Sequence, residues 1–220
     1  MESGVPSVAV LAGSPRRRGN SARVASAVMH ALRVQGVQAE LLLLPDFEVG
    51  GCTGCGACEA AGACVLDERE GRGLQLGFAS LQARLLAADA LALVAPVYFS
   101  GPPSQLKAAL DRMQPLWCQR YLLGRRPPLP LERRRPFDLF VVGAGGDPFG
   151  CEALVSCARS SLRMADFELR ETHDLVGFGQ KPRPGVPYGP EYDAALLDQM
   201  PAWASGLASA AAAARTARAD

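Results

Sequence analysis

The sequence predicts an α/β domain, a doubly wound five-stranded parallel sheet with helices on both faces. Three observations predict it. Short apolar, β-branched runs alternate five times with longer segments of helical character. Those runs are apolar almost throughout, as strands buried on both faces are. The 220 residues, 49% apolar and 20% charged, suffice for one sizeable core and are too apolar for a disordered chain. We therefore read residues 1–220 as a single domain.

The elements follow in order. "SVAVLAG" (Ser7 to Gly13) is a buried strand ending in glycine. The next segment repeats Val24, Val28 and Leu32 on one helical face, and Gly36 closes it as a C-cap. Val37 to Pro45 is a second strand. A long irregular loop over 50–70 holds four cysteines. Phe78 to Ala88 is helical, and "DALALVAPVYFS" carries a third strand. Pro102 to Met113 opens a helix with proline in its first turn. A Pro/Arg-rich stretch over 118–136 reads as a surface excursion. "FDLFVVGAGG", "FGCEALVSCARSSLRMA" and "FELRETHDLVG" supply the fourth strand, fourth helix and fifth strand. One final helix follows Gly189, its last ten or so residues expected to fray.

Right-handed crossovers and five strands suit the flavodoxin-like order 2-1-3-4-5, in which ligands lie outside the carboxyl ends of the strands. The loops Gly13 to Ser21, Pro96 to Pro103 and Gly143 to Gly150 fall at that edge. The cysteine loop follows the second strand, so it is expected at the same edge.

The formal charge is 23 minus 22, or +1, which gives no general pull toward nucleic acid or membrane. Basic runs at Arg16 to Arg18 and Arg133 to Arg135 read as solvated surface. No basic segment precedes an apolar one at the start, and no apolar run approaches the ~18 residues that span a bilayer. The expectation is a soluble, cytoplasmic protein, in which cysteines serve as metal ligands or free thiols rather than disulfides.

The first loop, "GSPRRRGNS", joins a strand to a helix whose first N–H groups favour phosphate. Ser14 and Ser21 add hydroxyls, Asn20 an amide and Arg16 a charge. A Walker A lysine is missing after Gly19, and Gly13 to Gly19 does not form a dinucleotide fingerprint. The loop suits a single terminal phosphomonoester such as that of FMN; taken alone, it could equally be an ordinary capped turn. "APVYFSGPP" and "GAGGD" offer flat surface and close backbone approach for a planar ring.

Together, "GSPRRRGNS", "APVYFSGPPSQLKAALDR" and "VVGAGG" resemble the NADPH-dependent FMN reductase branch of the flavodoxin-like superfamily, over roughly the first 150 residues. The resemblance implies an FMN phosphate on Ser14, Arg16, Asn20 and Ser21. It implies an isoalloxazine on Pro96, Val97, Tyr98 and Phe99, with Gly145 and Gly146 at its far edge. It also implies a homodimer or homotetramer with the flavin near a subunit interface, and NAD(P)H as one possible donor.

The cysteines read Cys52-x2-Cys55-x2-Cys58-x5-Cys64, with Gly51, Gly54, Gly56 and Gly62 among them. A compact run of four thiolates is a common cradle for a [4Fe–4S] cluster. Zinc sites more often use two separated pairs, and free thiols lining a loop are the plain alternative. Within the same branch, the run and the following "VLDE" resemble the iron–sulfur flavoproteins; flavin-only relatives that keep a similar run are also resembled.

The expected function is an FMN-dependent oxidoreductase moving electrons between a [4Fe–4S] cluster, FMN and a small-molecule or ferredoxin-like partner. The alternatives are a cluster-free NAD(P)H-dependent FMN or quinone reductase, and a non-catalytic redox carrier or sensor. No side-chain acid or base is assigned. Cys118, Cys151 and Cys157 show no ligand spacing and read as spectator thiols; His30 and His173 read as structural, and Trp117 and Tyr121 as packing. Hydrolytic motifs are not found in the sequence.

Overall fold

A computed structural model describes residues 4–182 and 184–219. The chain runs β1 (Ser7–Ala12), α1 (Asn20–Val34), β2 (Gln38–Leu43), β3 (Phe47–Glu48), α2 (Ala57–Ala61) and β4 (Leu76–Gly77). It continues with α3 (Phe78–Ala87), β5 (Ala90–Pro96), α4 (Ser104–Asp111), α5 (Gln114–Tyr121) and β6 (Arg135–Gly143). It ends with α6 (Glu152–Leu162), β7 (Phe167–Val176), α7 (Pro190–Leu197) and α8 (Met200–Ala219). The main sheet is parallel in the order β2-β1-β5-β6-β7, which is 2-1-3-4-5 for its own five strands. Strands β3 and β4 form a separate parallel pair that flanks the cysteine loop.

Alternation along each strand builds two cores. Val8, Val10 and Ala12 of β1 face α1 and α8, where Val24, Val28, Leu32 and Leu207 are buried. Ala9 and Leu11 face the opposite layer, filled by Phe78, Leu81, Leu106, Leu110, Leu154 and Leu162 from α3, α4 and α6. The predicted helical stripe of α1 is thus the buried stripe.

Several expectations change. The final helix is two helices, broken at Asp198–Gln199, with Pro201 in the first turn of α8, where its missing N–H costs no hydrogen bond. The end of α8 is not frayed: it is helical to Ala219, and Ala211 and Ala214 are buried. Arg215 and Arg218 reach the buried Asp89 at 3.1 and 3.4 Å, and Asp89 also accepts the N–H and hydroxyl of Ser7 at 2.9 Å. The first residues of the expected 118–136 excursion belong to α5.

The Arg133 to Arg135 run is not all solvated. Arg135 is buried; it donates to the carbonyls of Leu85, Leu86, Ala88 and Ala165, and its guanidinium lies 4.0 Å from the Phe167 ring centroid. Burial pushes its pKa down to about 10, with the nearby positive charge of Arg218 adding to that. His173, read from the sequence as isolated and structural, is buried and has partners. Its Nε2 lies 2.9 Å from Asp138, and its ring packs against both Phe140 and Trp203, which also touch each other. A register shift in β7 opposite Phe137 and Asp138 lets Arg170 turn onto Asp138 as well.

Candidate functional site

The first loop leaves a helix start without a protein acceptor. Gly19 caps α1 with no side-chain hydrogen bond, and there is no acid in the first turn. Among the described residues, nothing accepts from the backbone N–H groups of Asn20, Ser21 and Ala22. Beside them lie the buried Ser14 and Ser21. Ser14 Oγ accepts the Arg16 N–H at 3.2 Å, which folds the loop back over the helix end. Such a cluster of donors at a 15-residue helix fits an anion. Asn20 turns elsewhere: its amide donates to Phe178 O at 2.9 Å, tying the end of α1 to the turn after β7.

The second loop is shaped by a tight turn. Tyr98 and Gly101 exchange both backbone hydrogen bonds, at 2.9 and 3.0 Å, with Phe99 and Ser100 at φ 50° and 62°. Two consecutive non-glycine residues in the left-handed region form a strained turn, which needs outside support. Ser100 provides it: its hydroxyl donates to Phe149 O at 3.1 Å, and its carbonyl accepts the Leu154 N–H at 2.9 Å, capping α6. The turn projects Phe99 98% exposed, while Tyr98 is 38% exposed and reaches Arg16 Nη2 at 3.5 Å. Pro96 is buried at the end of β5, and Val97 is half-buried and pairs with Val142 O at 3.0 Å. Of the four residues the sequence grouped together, Tyr98 and Phe99 are exposed, Val97 is half-buried and Pro96 is buried.

Gly145 and Gly146 take φ 77° and 88° in the third loop. A Cβ on Gly145 would stand 2.7 Å from the hydroxyl of Tyr188, so glycine is required there for Tyr188 to cover the loop. Tyr188 lies past β7, where no motif marks it. The three loops therefore meet at the carboxyl rim as expected, with Arg16 and Tyr98 joining two of them and Tyr188 covering the third.

The cysteine loop behaves differently. Cys52, Cys55, Cys58 and Cys64 all line one cavity of about 650 Å³. Its other walls are Leu110 to Pro115, Trp117 and Tyr121, with Ser160, Ser161 and Met164 at the far end of α6. None of the residues of the three rim loops lines it. The loop leaves the carboxyl rim and descends along α4 and α5, so the thiols lie away from the rim where the sequence placed them.

A buried arginine holds the loop. Arg112 donates to Glu70 at 2.6 Å and Gly50 O at 3.1 Å, pairs with Asp67, and lies 4.8 Å from the Phe78 ring centroid. Glu70 in turn accepts the Gly50 N–H at 2.7 Å and the Phe78 N–H at 3.3 Å. Arg112 Nε is buried without a hydrogen-bond partner in the wall of the cysteine cavity. Arg112 thus sets a positive charge in the wall of a cavity that four cysteines also line, which suits an anionic occupant. Among the described residues, no three cysteine sulfurs lie within 4.8 Å of one another. Four sulfurs on one zinc ion at about 2.3 Å would lie closer than that. The four thiols are therefore not gathered around a single ion in this structure.

The thiols are not equivalent. Cys55 is exposed, and the Ala57 N–H and then the Thr53 hydroxyl lower its pKa. Burial, followed by the neighbouring Cys118, pushes Cys58 up to about 11. Cys118 is not an isolated spectator: its sulfur lies 3.6 Å from Cys58 Sγ. Spacing in the sequence could not show this, because α5 and not the loop brings Cys118 there.

The sequence pattern of the family described as NADPH-dependent FMN reductase matches residues 6–178. The chain belongs to the NADPH-dependent FMN reductase family. The match ends at Phe178, so Tyr188 and helices α7 and α8 lie beyond it. Among curated proteins, an iron–sulfur flavoprotein of Methanocaldococcus jannaschii is 32% identical over 107 residues, 48% of this chain and 51% of that protein. One from Methanosarcina thermophila is 30% identical over 102 residues, 46% of this chain and 49% of that protein. The chain spans about half the length of the curated relatives it matches. A solved NAD(P)H:quinone oxidoreductase from Methanothermobacter marburgensis superposes with a TM-score of 0.59 at 18% identity, covering 93% of this chain and all of that one. A flavone reductase gives 0.59 at 14% identity, covering 94% of this chain and 62% of that one. At these identities the structural likenesses show the flavodoxin-like fold. Among the described residues, no helix is long and apolar enough to cross a membrane.

Proposed function

We propose that this member of the FMN reductase family is an FMN-dependent oxidoreductase that also carries a [4Fe–4S] cluster on Cys52, Cys55, Cys58 and Cys64. The observation that carries the reading is the uncapped start of α1 above the buried Ser14 and Ser21. These donors and Arg16 would hold the phosphate. Tyr98 and Phe99 would flank the ring, and Gly145 and Gly146 would let the backbone approach its edge. Asn20 positions the helix start through Phe178. FMN, when bound, supplies exchange between two-electron and one-electron chemistry, and a cubane supplies one-electron transfer.

The residues set position and electrostatics. Arg112 places positive charge beside the cysteine cavity, where it offsets the negative charge of ligated thiolates. The exposed Phe99 and Phe149 at the rim favour closure of the mouth by a second copy of the chain. Such a homodimer, or a dimer of dimers, would bring a partner's cysteine cavity toward the flavin. The donor is NAD(P)H or a ferredoxin-like protein, and the compartment is the reducing cytoplasm, where the thiols stay available.

A second reading is a flavin-only NAD(P)H-dependent FMN or quinone reductase. The exposure of Cys52 and Cys55 favours it. Anaerobic purification with iron, sulfide and flavin quantified together separates the two. We expect about four irons and four sulfides per FMN. Flavin without iron supports the second reading, and a chain without flavin overturns both.

A further inference from the structure

The cysteine cavity has a thiol behind its wall. Cys118 is fully buried on α5, and its sulfur touches Cys58 Sγ at 3.6 Å, but it does not line the cavity. Cys58 does line it and is partly open to solvent. Cys118 therefore stands behind Cys58, poorly placed to ligate anything in the cavity and well placed to attack the Cys58 sulfur.

The backbone holds this contact in place. Gln119 Nε2 donates to Gly62 O at 2.6 Å, and Arg125 Nη1 donates to Ala61 O at 3.0 Å. Both carbonyls are at the end of α2, about one turn past Cys58, so that end is tied to α5 through Gln119 and to the segment after α5 through Arg125. Closing 3.6 Å to a disulfide bond of about 2.05 Å requires a movement of about 1.5 Å, within the reach of side-chain torsions.

We propose that Cys58 and Cys118 form a dithiol–disulfide switch that operates when Cys58 is not ligating a metal centre. The oxidant is a low-molecular-weight disulfide. The minor thiolate fraction of Cys58 attacks one of its sulfurs, breaks the S–S bond and releases one small thiolate; this attack is slow, and the equilibrium with Cys118 fixes the product. Cys118 then attacks the Cys58 sulfur of the mixed disulfide and releases the second. Two electrons pass from the protein thiols to the small disulfide, which leaves as two thiols carrying the two protons. The product removes Cys58 from the four-cysteine set and fastens α2 to α5. The chain then cannot rebuild a four-thiolate site until it is reduced. The disulfide itself requires only the two thiols; its consequence for cluster assembly rests on the cluster reading.

The test uses the full chain, freed of metal by a chelator and equilibrated anaerobically in reduced and oxidised glutathione. Thiols are blocked with N-ethylmaleimide and peptides are mapped by mass spectrometry. The predominant cross-linked peptide is expected to join Cys58 to Cys118, with Cys52, Cys55 and Cys64 blocked as thiols. Cys118→Ser and Cys118→Ala, checked for folding by circular dichroism, should lose the cross-link and leave Cys58 carrying glutathione. Iron with stoichiometric sulfide, added briefly and with the cross-link mapped again afterwards to show that sulfide has not opened it, should load the reduced chain and not the oxidised one. Cross-links predominantly among Cys52, Cys55, Cys58 and Cys64, or none at all, overturn the proposal. So does loss of iron loading in the reduced Cys118→Ser chain, which would make Cys118 a ligand. A chain that never takes up iron yet forms the Cys58–Cys118 link would leave the switch standing and refute the cluster reading instead.

Discussion

Arg112 donates to Glu70 at 2.6 Å in an interior that leaves the arginine side chain 1% exposed and the glutamate 6%. The pair joins α4 to the loop that carries the cysteines, with Asp67 and Gly50 O completing the arginine's partners. Arg112→Gln should leave Glu70 buried without its cation. The expected loss is about 3 kcal/mol or more, measured by urea unfolding of the metal-free chain. A loss within about 0.5 kcal/mol would show that the loop does not depend on this pair.

The thiols should label in a fixed order. Cys55 is shifted down by the Ala57 N–H, whereas Cys58 is pushed up to about 11 by burial and Cys118. In the reduced, metal-free chain at pH 8, iodoacetamide should modify Cys55 well before Cys58, since thiolate is the reactive form. Cys58 labelling should rise only as pH approaches 11. The sign for stability is the same. A thiol raised from 9.0 to about 11 keeps its contribution below pH 9 and loses it between 9 and 11, as the unfolded chain ionises first. Equal labelling of both at pH 8 would contradict this picture.

The turn at Tyr98 to Gly101 predicts a separation of stability from binding. Phe99 is almost wholly exposed at φ 50°. Phe99→Gly relieves about 1–2 kcal/mol of left-handed strain, while the freedom of glycine in the unfolded chain costs about 0.5–1 kcal/mol. Stability should hold or rise slightly in thermal unfolding, and FMN affinity should fall in a fluorescence titration. A marked loss of stability would show that the ring packs in the free chain.

Much of this was legible in the sequence. The five strands and their order follow from apolar runs separated by helical stretches, and the first loop's donors follow from Ser14 and Ser21 at a strand-to-helix turn. Long-range placement was not legible. Arg135 sits in a run that reads as surface, yet its stem and cation are absorbed by four carbonyls and Phe167. Cys118 lies 60 residues from Cys58, and only the packing of α5 on the loop brings them together. The descent of the cysteine loop away from the rim depends on Arg112, whose partner Glu70 carries no motif and whose partner Asp67, in the "VLDE" run, gives no sign of a pairing 45 residues away.

The alanine-rich end of α8 was expected to fray and instead packs. Deleting residues 211–220 removes the buried Ala211 and Ala214 and exposes Asp89 from beneath Arg215 and Arg218. The two arginines are well exposed, so each ion pair is worth at most about 1 kcal/mol. With the lost apolar burial, the truncated chain should be less stable by about 2 kcal/mol in urea unfolding. Unchanged stability would restore the frayed end.

The central claim is that the start of α1 grips the phosphate of FMN. Its most direct test is calorimetric titration of the flavin-free chain with FMN and with riboflavin, which lacks only that phosphate. Several charge-assisted hydrogen bonds should make FMN bind on the order of 100-fold more tightly than riboflavin. Ser14→Ala combined with Ser21→Ala should erase most of that preference. Equal affinity for the two flavins, or binding of neither, would contradict the account.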